Sequence, residues 1–264
     1  MEKTNETKET EVPQVNSGMK TLVNIDLYLK NGIHIGTKYK NGAMRRFIFK
    51  SRSDKLNVMD VQIIDKRIKV AIDFISRYNP SDIMFVSRKK YALFGLKLLE
   101  KNFGYNVKLD RFIPGTFTNP ESEHFTEPRM VFIVDPNIDR QAIVEAKKIR
   151  VPIAALSTTS SNVRDIDLII PFNNKGRKSV ALFFWLLNRE LMISNGLIKS
   201  EAEYTYKIED FVYTLADDSK DDKEMSRTSS RFGAGRFARP GGAGAGFGPR
   251  RQGRFERLER EVAD

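Results

Sequence analysis

The chain contains no cysteine, one tryptophan and only two histidines in 264 residues. Without cysteine there is no disulfide, no thiol nucleophile and no thiolate metal site, a composition that fits a reducing cytosol. His34 and His124 stand too far apart in sequence for a local ligand pair, and each is expected to be an ordinary structural or surface histidine. No apolar run reaches the roughly eighteen residues of a membrane-spanning helix. Residues 1–17 are polar and acidic and lack the apolar centre of a signal peptide. No G-x-G-x-x-G follows a strand-like segment, no G-x-x-x-x-G-K-[ST] loop is present, and no sustained heptads occur. Nucleotide cofactors therefore have no recognisable cradle, and no cofactor or metal is expected.

Positive charge and phenylalanine are plentiful. The formal net charge is +11 with a pI near 9.7, which suits a polyanionic partner, either nucleic acid or an acidic membrane surface. Forty per cent hydrophobic residues, with 18 phenylalanines, suffice for a real core. The length accommodates one α/β domain of roughly 200 residues with tails, or two small domains.

The apolar pattern favours the first arrangement. Val61, Ile64, Ile68, Ala71, Ile72 and Ile75 fall at three- and four-residue steps and predict a helix ending near Asn79-Pro80. Residues 83–86 (IMFV) predict a buried strand, and Tyr91, Phe94, Gly95, Leu98 and Leu99 a second helix. The alternation continues with a strand at 130–134, a short helix through Ile143, Ala146 and Ile149, and strands at 151–156 and 168–170. A long helix then runs from about Ser179 to Ile193. Apolar strands alternating with amphipathic helices predict a mostly parallel, doubly wound α/β sheet, flavodoxin-like or Rossmann-like. The expected organisation is a mobile polar leader over 1–18, the α/β domain over 19–200 and an extension over 201–217. A tail over 218–264 follows, acidic and then rich in glycine and arginine, and is expected to be disordered in isolation. Its arginines and phenylalanines suit loose RNA binding, and a solubilising linker would have the same composition.

Two strand ends carry polar residues where such folds place ligands: Asp135, and Ser157-Thr158-Thr159. Asp135 precedes Pro136 and is expected to order the turn, with Asp139 as N-cap of the next helix, rather than to act in catalysis. Three basic groups stand out. Lys175, Arg177 and Lys178 open the last long helix, where the helix dipole disfavours cations unless an outside anion joins them. A bound phosphate would satisfy that condition; a solvated turn with Ser179 as N-cap is the alternative. Lys38, Lys40, Arg45, Arg46, Lys50 and Arg52 surround Phe47, Ile48 and Phe49, a pattern that suits an RNA surface or a half-buried strand with a solvated side. Arg88, Lys89 and Lys90 follow a strand and form the third group.

Several motifs occur in one order: GIHIGT at 32–37, MRRFIFKSR at 44–52, FIPGTFTNP at 112–120, EP at 127–128, DP at 135–136 and NNKGRKS at 173–179. This series resembles the universal ribosomal protein S two family of the small subunit, in its archaeal and eukaryotic form, over about residues 20–200. The resemblance implies an α/β domain without catalytic activity, lodged in the cytoplasm on small-subunit ribosomal RNA and neighbouring ribosomal proteins, with no small-molecule substrate and no membrane. An RNA-binding factor acting off the ribosome, or a nucleotide-binding enzyme, is the alternative function. The chain departs from the family pattern at three places. Lys55 stands where the family usually has glycine in Asp-Gly-Leu, Asp110 where it often has glycine, and Ser157-Thr158-Thr159 where Cys-Asp-Thr or a similar triplet is usual.

Overall fold

The computed structural model describes residues 21–198 and 203–213; the expected leader and the Gly/Arg-rich tail lie outside them. The fold opens with helix α1 (Ile25–Lys30), started by Asn24, whose side chain accepts from the Asp26 N–H. A 3-10 turn over Gly42–Phe47 leads into strand β1 (Ile48–Ser51), which pairs antiparallel with β2 (Asn57–Met59). Asp60 then caps α2 (Val61–Ile75) by accepting from the Gln62 N–H. The elements that follow are β3 (Ile83–Ser87), α3 (Leu93–Phe103), β4 (Asn106–Leu109), β5 (Met130–Ile133), α4 (Arg140–Lys148), β6 (Ile153–Ser157), β7 (Leu168–Pro171) and α5 (Arg177–Ser194), and the apolar periodicity predicts all of them except β4.

Strands β3 to β7 form one five-stranded sheet in the order β4-β3-β5-β6-β7, every pairing parallel. That is the flavodoxin-like order, with the chain reversing its direction of growth between β3 and β5. Period-two alternation then sorts the strand side chains. Ile83, Phe85, Met130, Phe132, Ala154, Leu156 and Ile170 face a core shared with α2, α3 and α5, in which Phe183 lies 5.7 Å from the Phe132 ring and 5.5 Å from Phe172. Met84, Val86, Val131, Ile133, Ile153 and Ala155 face the other way, onto α4. The extension also belongs to the first core: Phe211 and Tyr213 are buried, and the Trp185 Nε1–H donates to the Tyr206 carbonyl at 2.9 Å.

The second face has one helix fewer than a doubly wound sheet usually carries. The connection from β4 to β5 is irregular, and Phe112 and Phe117 of FIPGTFTNP cover the sheet where a helix would lie. Its shape depends on one buried carboxylate. Glu145 on α4 accepts from the Gly115 N–H at 2.8 Å, the Phe117 N–H at 3.1 Å and the Gln141 Nε2 at 2.9 Å. A carboxylate with three donors satisfies the backbone groups that a helix would otherwise have paired within itself.

Both positions at which the resemblance implies glycine keep a glycine-like backbone. Lys55 has φ +62° and Asp110 φ +72°. For a lysine that conformation costs about 1–2 kcal/mol of steric strain, whereas glycine loses roughly 0.5–1 kcal/mol more chain entropy on folding. The strain wins narrowly. Lys55→Gly is expected to stabilise the protein by about 0.5 kcal/mol, read as a higher urea midpoint with unchanged slope. Asp110→Gly should gain less, because aspartate tolerates this region better. A lower midpoint for Lys55→Gly would mean that the lysine side chain makes a compensating interaction.

Candidate nucleic-acid interface

The carboxyl ends of the parallel strands form one rim, and the residues there are polar and buried. At the switch point, Lys89 reaches across from the end of β3. Its Nζ lies 2.6 Å from Asp135 Oδ2 and donates to the Asn174 carbonyl at 2.7 Å. Asn174, with no exposed surface, donates its Nδ2 to the carbonyls of Val134 and Leu156 and so ties the ends of β5 and β6 to the turn after β7. Asp139 accepts from the Arg88 N–H at 3.3 Å, and Asp135 also accepts from the Asn137 N–H. The crevice in which open α/β sheets receive ligands is thus occupied by the protein's own side chains.

Asp135 orders its turn as expected. Asp139 does sit at the N-cap position of α4, but its carboxylate bonds to Arg88 rather than capping the helix. The helix start of α5 also differs from expectation. Gly176 is its N-cap, with no side-chain cap, and Ser179 lies inside the first turn with its Oγ bonded to the carbonyls of Asn173 and Gly176. A side chain at position 176 would put its Cβ 2.6 Å from the Ser179 Oγ, so the hydroxyl takes the space of a conventional cap. The first-turn N–H groups of α5 therefore have neither an intrahelical acceptor nor a capping side chain.

The segment carrying Lys38 and Lys40 is fastened to the same rim. The Thr37 N–H donates to Thr159 Oγ1 at 2.8 Å, the Asn41 N–H to the Thr159 carbonyl at 2.8 Å, and the Asn173 N–H to the Ile33 carbonyl at 3.1 Å. Gly36 permits this approach: a Cβ there would stand 2.5 Å from Thr159 Cγ2 and 2.7 Å from the Asn57 carbonyl. Buried Asn57 donates to the carbonyls of Thr37 and Lys38, joining the rim segment to β2.

The cations sort into two kinds. Lys38, Lys40, Arg45, Arg46, Lys50, Arg52, Arg88, Lys90, Lys175, Arg177 and Lys178 are exposed. Arg46 lies 4.8 Å above the Phe47 ring, and Arg52 approaches Asp54 at 3.8 Å. Among the described residues, Lys38, Lys40, Arg45, Lys50, Lys175, Arg177 and Lys178 make no ion pair with an acidic group. Lys89 is different: its ammonium is engaged inside the fold. Rim tethers therefore bring together the groups around residues 38–40, 88–90 and 175–178, which lie far apart in sequence. The buried residues that do this are Thr159, which the sequence marks as a polar strand end, Asp139, which it marks as an N-cap, and Asn174, in the turn before α5; no local pattern links the three to one another.

A family model described as "Ribosomal protein S2" matches residues 121–192. The small ribosomal subunit protein uS2 of Methanococcus maripaludis strain DSM 14266 is 46% identical over 185 residues, 70% of this chain and 84% of the relative. That of Ignicoccus hospitalis is 42% identical over 182 residues, 69% of this chain and 86% of the relative. The chain belongs to the uS2 family. The matched model spans β5 to α5, and so includes Asp135, Asp139, Thr159 and Asn174 of the rim. Among the described residues no helix is long and apolar enough to cross a membrane, and no cluster of three or more His, Asp or Glu side chains could hold a metal ion.

Two measurements test the rim of this uS2 chain. Removing one partner of a buried ion pair leaves an uncompensated charge, so Lys89→Met should cost about 3–5 kcal/mol in urea denaturation. The double variant Lys89→Met with Asp135→Asn should recover a large part of that loss; equal losses in single and double variants would show that the two charges are not coupled. The second concerns Asp139, whose carboxyl is pushed up to about 6 by burial, against the pull of the Arg88 N–H. A carboxyl with a folded pKa above its unfolded value favours folding while protonated. That contribution is complete below about pH 4 and is lost as pH rises through about 6. Asp139→Asn should therefore be more stable than the parent at pH 7 by about 2 kcal/mol, with the difference shrinking on acidification. A difference independent of pH between 4 and 7 would contradict this.

Proposed function

We propose that this uS2-family chain is a structural constituent of the small ribosomal subunit, bound to ribosomal RNA and to neighbouring ribosomal proteins in the cytoplasm, and that it catalyses no reaction. The observation that carries the reading is the gathering of separate basic groups onto one rim, with most of their cations left without acidic partners. In isolation such a rim repels itself, and a phosphate backbone is the counter-charge that fits its extent. The names of the relatives, small ribosomal subunit proteins of two archaea, point to the same partner. The occupied switch-point crevice argues against the nucleotide-binding alternative, because Lys89 and Asn174 stand where a ligand would enter.

Within the rim, Lys175, Arg177 and Lys178 grip an RNA phosphate. The uncapped N–H groups of α5 supply neutral donors beside three cations, an arrangement suited to a tetrahedral anion. Replacing all three with glutamate should leave the free protein as stable as before, or more so. Acids in place of Arg177 and Lys178 suit the helix start by about 0.3–1 kcal/mol each. The same variant should fail to enter small subunits, because attraction to phosphate becomes repulsion. Thermal melting of the free protein and cosedimentation with small subunits on a sucrose gradient give the two readouts. A variant that melts lower yet enters subunits normally would show that these cations serve the fold and would overturn the phosphate grip.

A further inference from the structure

Two aromatic rings on the basic side of the molecule serve no core. Tyr39 is 81% exposed and Phe49 58% exposed, the most exposed aromatic side chains among the described residues. Phe47, two residues before Phe49, already fills the local core and is 3% exposed. Phe49 is set out by an irregularity in the pairing. Ile48 stands opposite Met59 and Lys50 opposite Val58, so two steps along β1 match one step along β2, and Phe49 is the extra residue of a β-bulge. Bulges commonly re-aim a side chain in this way. Tyr39 is held at its backbone instead: its carbonyl accepts from Thr37 Oγ1 at 2.9 Å and from Thr159 Oγ1 at 3.1 Å. Both rings thus project from anchored main chain.

Their surroundings decide what they meet. Between residues 34 and 56 the chain carries seven cations and a single acid, Asp54. An apolar protein surface docking here would bury several unpaired cations, which is costly without acidic partners. A nucleic acid supplies the counter-charge along with flat apolar faces. A closed duplex offers phosphates only, because its bases are already stacked on one another, whereas unpaired nucleotides offer both.

We infer that Tyr39 and Phe49 are stacking platforms for unpaired bases of RNA, with Lys38, Lys40, Arg46 and Lys50 holding the adjoining phosphates. This rests on the RNA-bound reading proposed above and names the form of RNA: a single-stranded or bulged segment rather than a continuous helix.

The test uses the full chain with a labelled single-stranded oligoribonucleotide and a labelled blunt RNA duplex of equal charge. Removing both rings, Tyr39→Ala with Phe49→Ala, should weaken single-strand binding at least about tenfold, given the size of base–aromatic stacking. Duplex binding should be unchanged. Tyr39→Phe with Phe49→Trp should restore single-strand affinity, and the new indole emission should be quenched on binding. Lys38→Gln with Lys50→Gln should weaken both ligands. If the ring-free variant binds the single strand like the parent, stacking is wrong; should the lysine variant then still weaken both ligands, the RNA-facing reading stands without it. If neither variant changes affinity, both readings of this face fail. Normal single-strand binding combined with failure to enter small subunits would assign the rings to a protein neighbour and likewise overturn stacking.

Discussion

Lys89 and Asp135 meet at 2.6 Å across the point where the strand order of the sheet reverses, and the rim is built around that contact. Taking an ammonium and a carboxylate out of water costs several kcal/mol per ion, so the pair is tolerable only if its remaining donors and acceptors are satisfied. The Asn174 carbonyl takes a second Lys89 proton, while the Asn174 amide bonds the Val134 and Leu156 carbonyls at the ends of β5 and β6. One contact therefore fixes three connections relative to the strand ends. The turn before α5 and the segment after Gly36, which is fastened through Thr159, can then present their cations together. A fold that in other chains receives a ligand at this point has here been closed by its own charges.

The same kind of substitution appears on the second face. Where a crossover helix would pair its own N–H groups, Glu145 accepts two of them from an irregular loop and leaves Phe112 and Phe117 to cover the sheet. In both places a buried charged side chain takes over work that regular secondary structure or a ligand performs in the general fold. Buried charges constrain geometry more tightly than apolar contacts, because a lost partner costs the full desolvation of what remains.

This division explains which parts of the structure could be read from the sequence. The helices α2 to α5 and the strands β3, β5, β6 and β7 were legible because each is buried on a periodic face, and burial leaves a pattern of apolar residues. Strand β4 escaped notice: it is an edge strand reading Asn-Val-Lys-Leu, half exposed and too short to alternate visibly. Strands β1 and β2 were blurred by the bulge at Phe49, which breaks the period-two rhythm. The order of the strands, and with it the switch point, depends on pairings between distant segments and leaves no local mark. Lys89 illustrates the limit. In sequence it is one of three equivalent cations after a strand, and only the meeting of β3 with β5 turns it inward while Arg88 and Lys90 stay exposed.

Lys89 and the cations of α5 also show how a charge that serves folding differs from one that the fold leaves unmatched. The Lys89 ammonium meets an opposite charge and a carbonyl within the chain, so the folded state gains from it. Lys175, Arg177 and Lys178 gather at the positive end of a helix dipole, beside one another and without an acidic neighbour among the described residues, so the folded state gains nothing from their placement. A local rule broken with no internal compensation points to compensation from outside. Tyr39 and Phe49 break a second rule, since large rings left in water contribute nothing to a core that Phe47 already fills. Unmatched positive charge and uncovered aromatic surface are different deficits, and one partner with phosphates and open base faces would satisfy both.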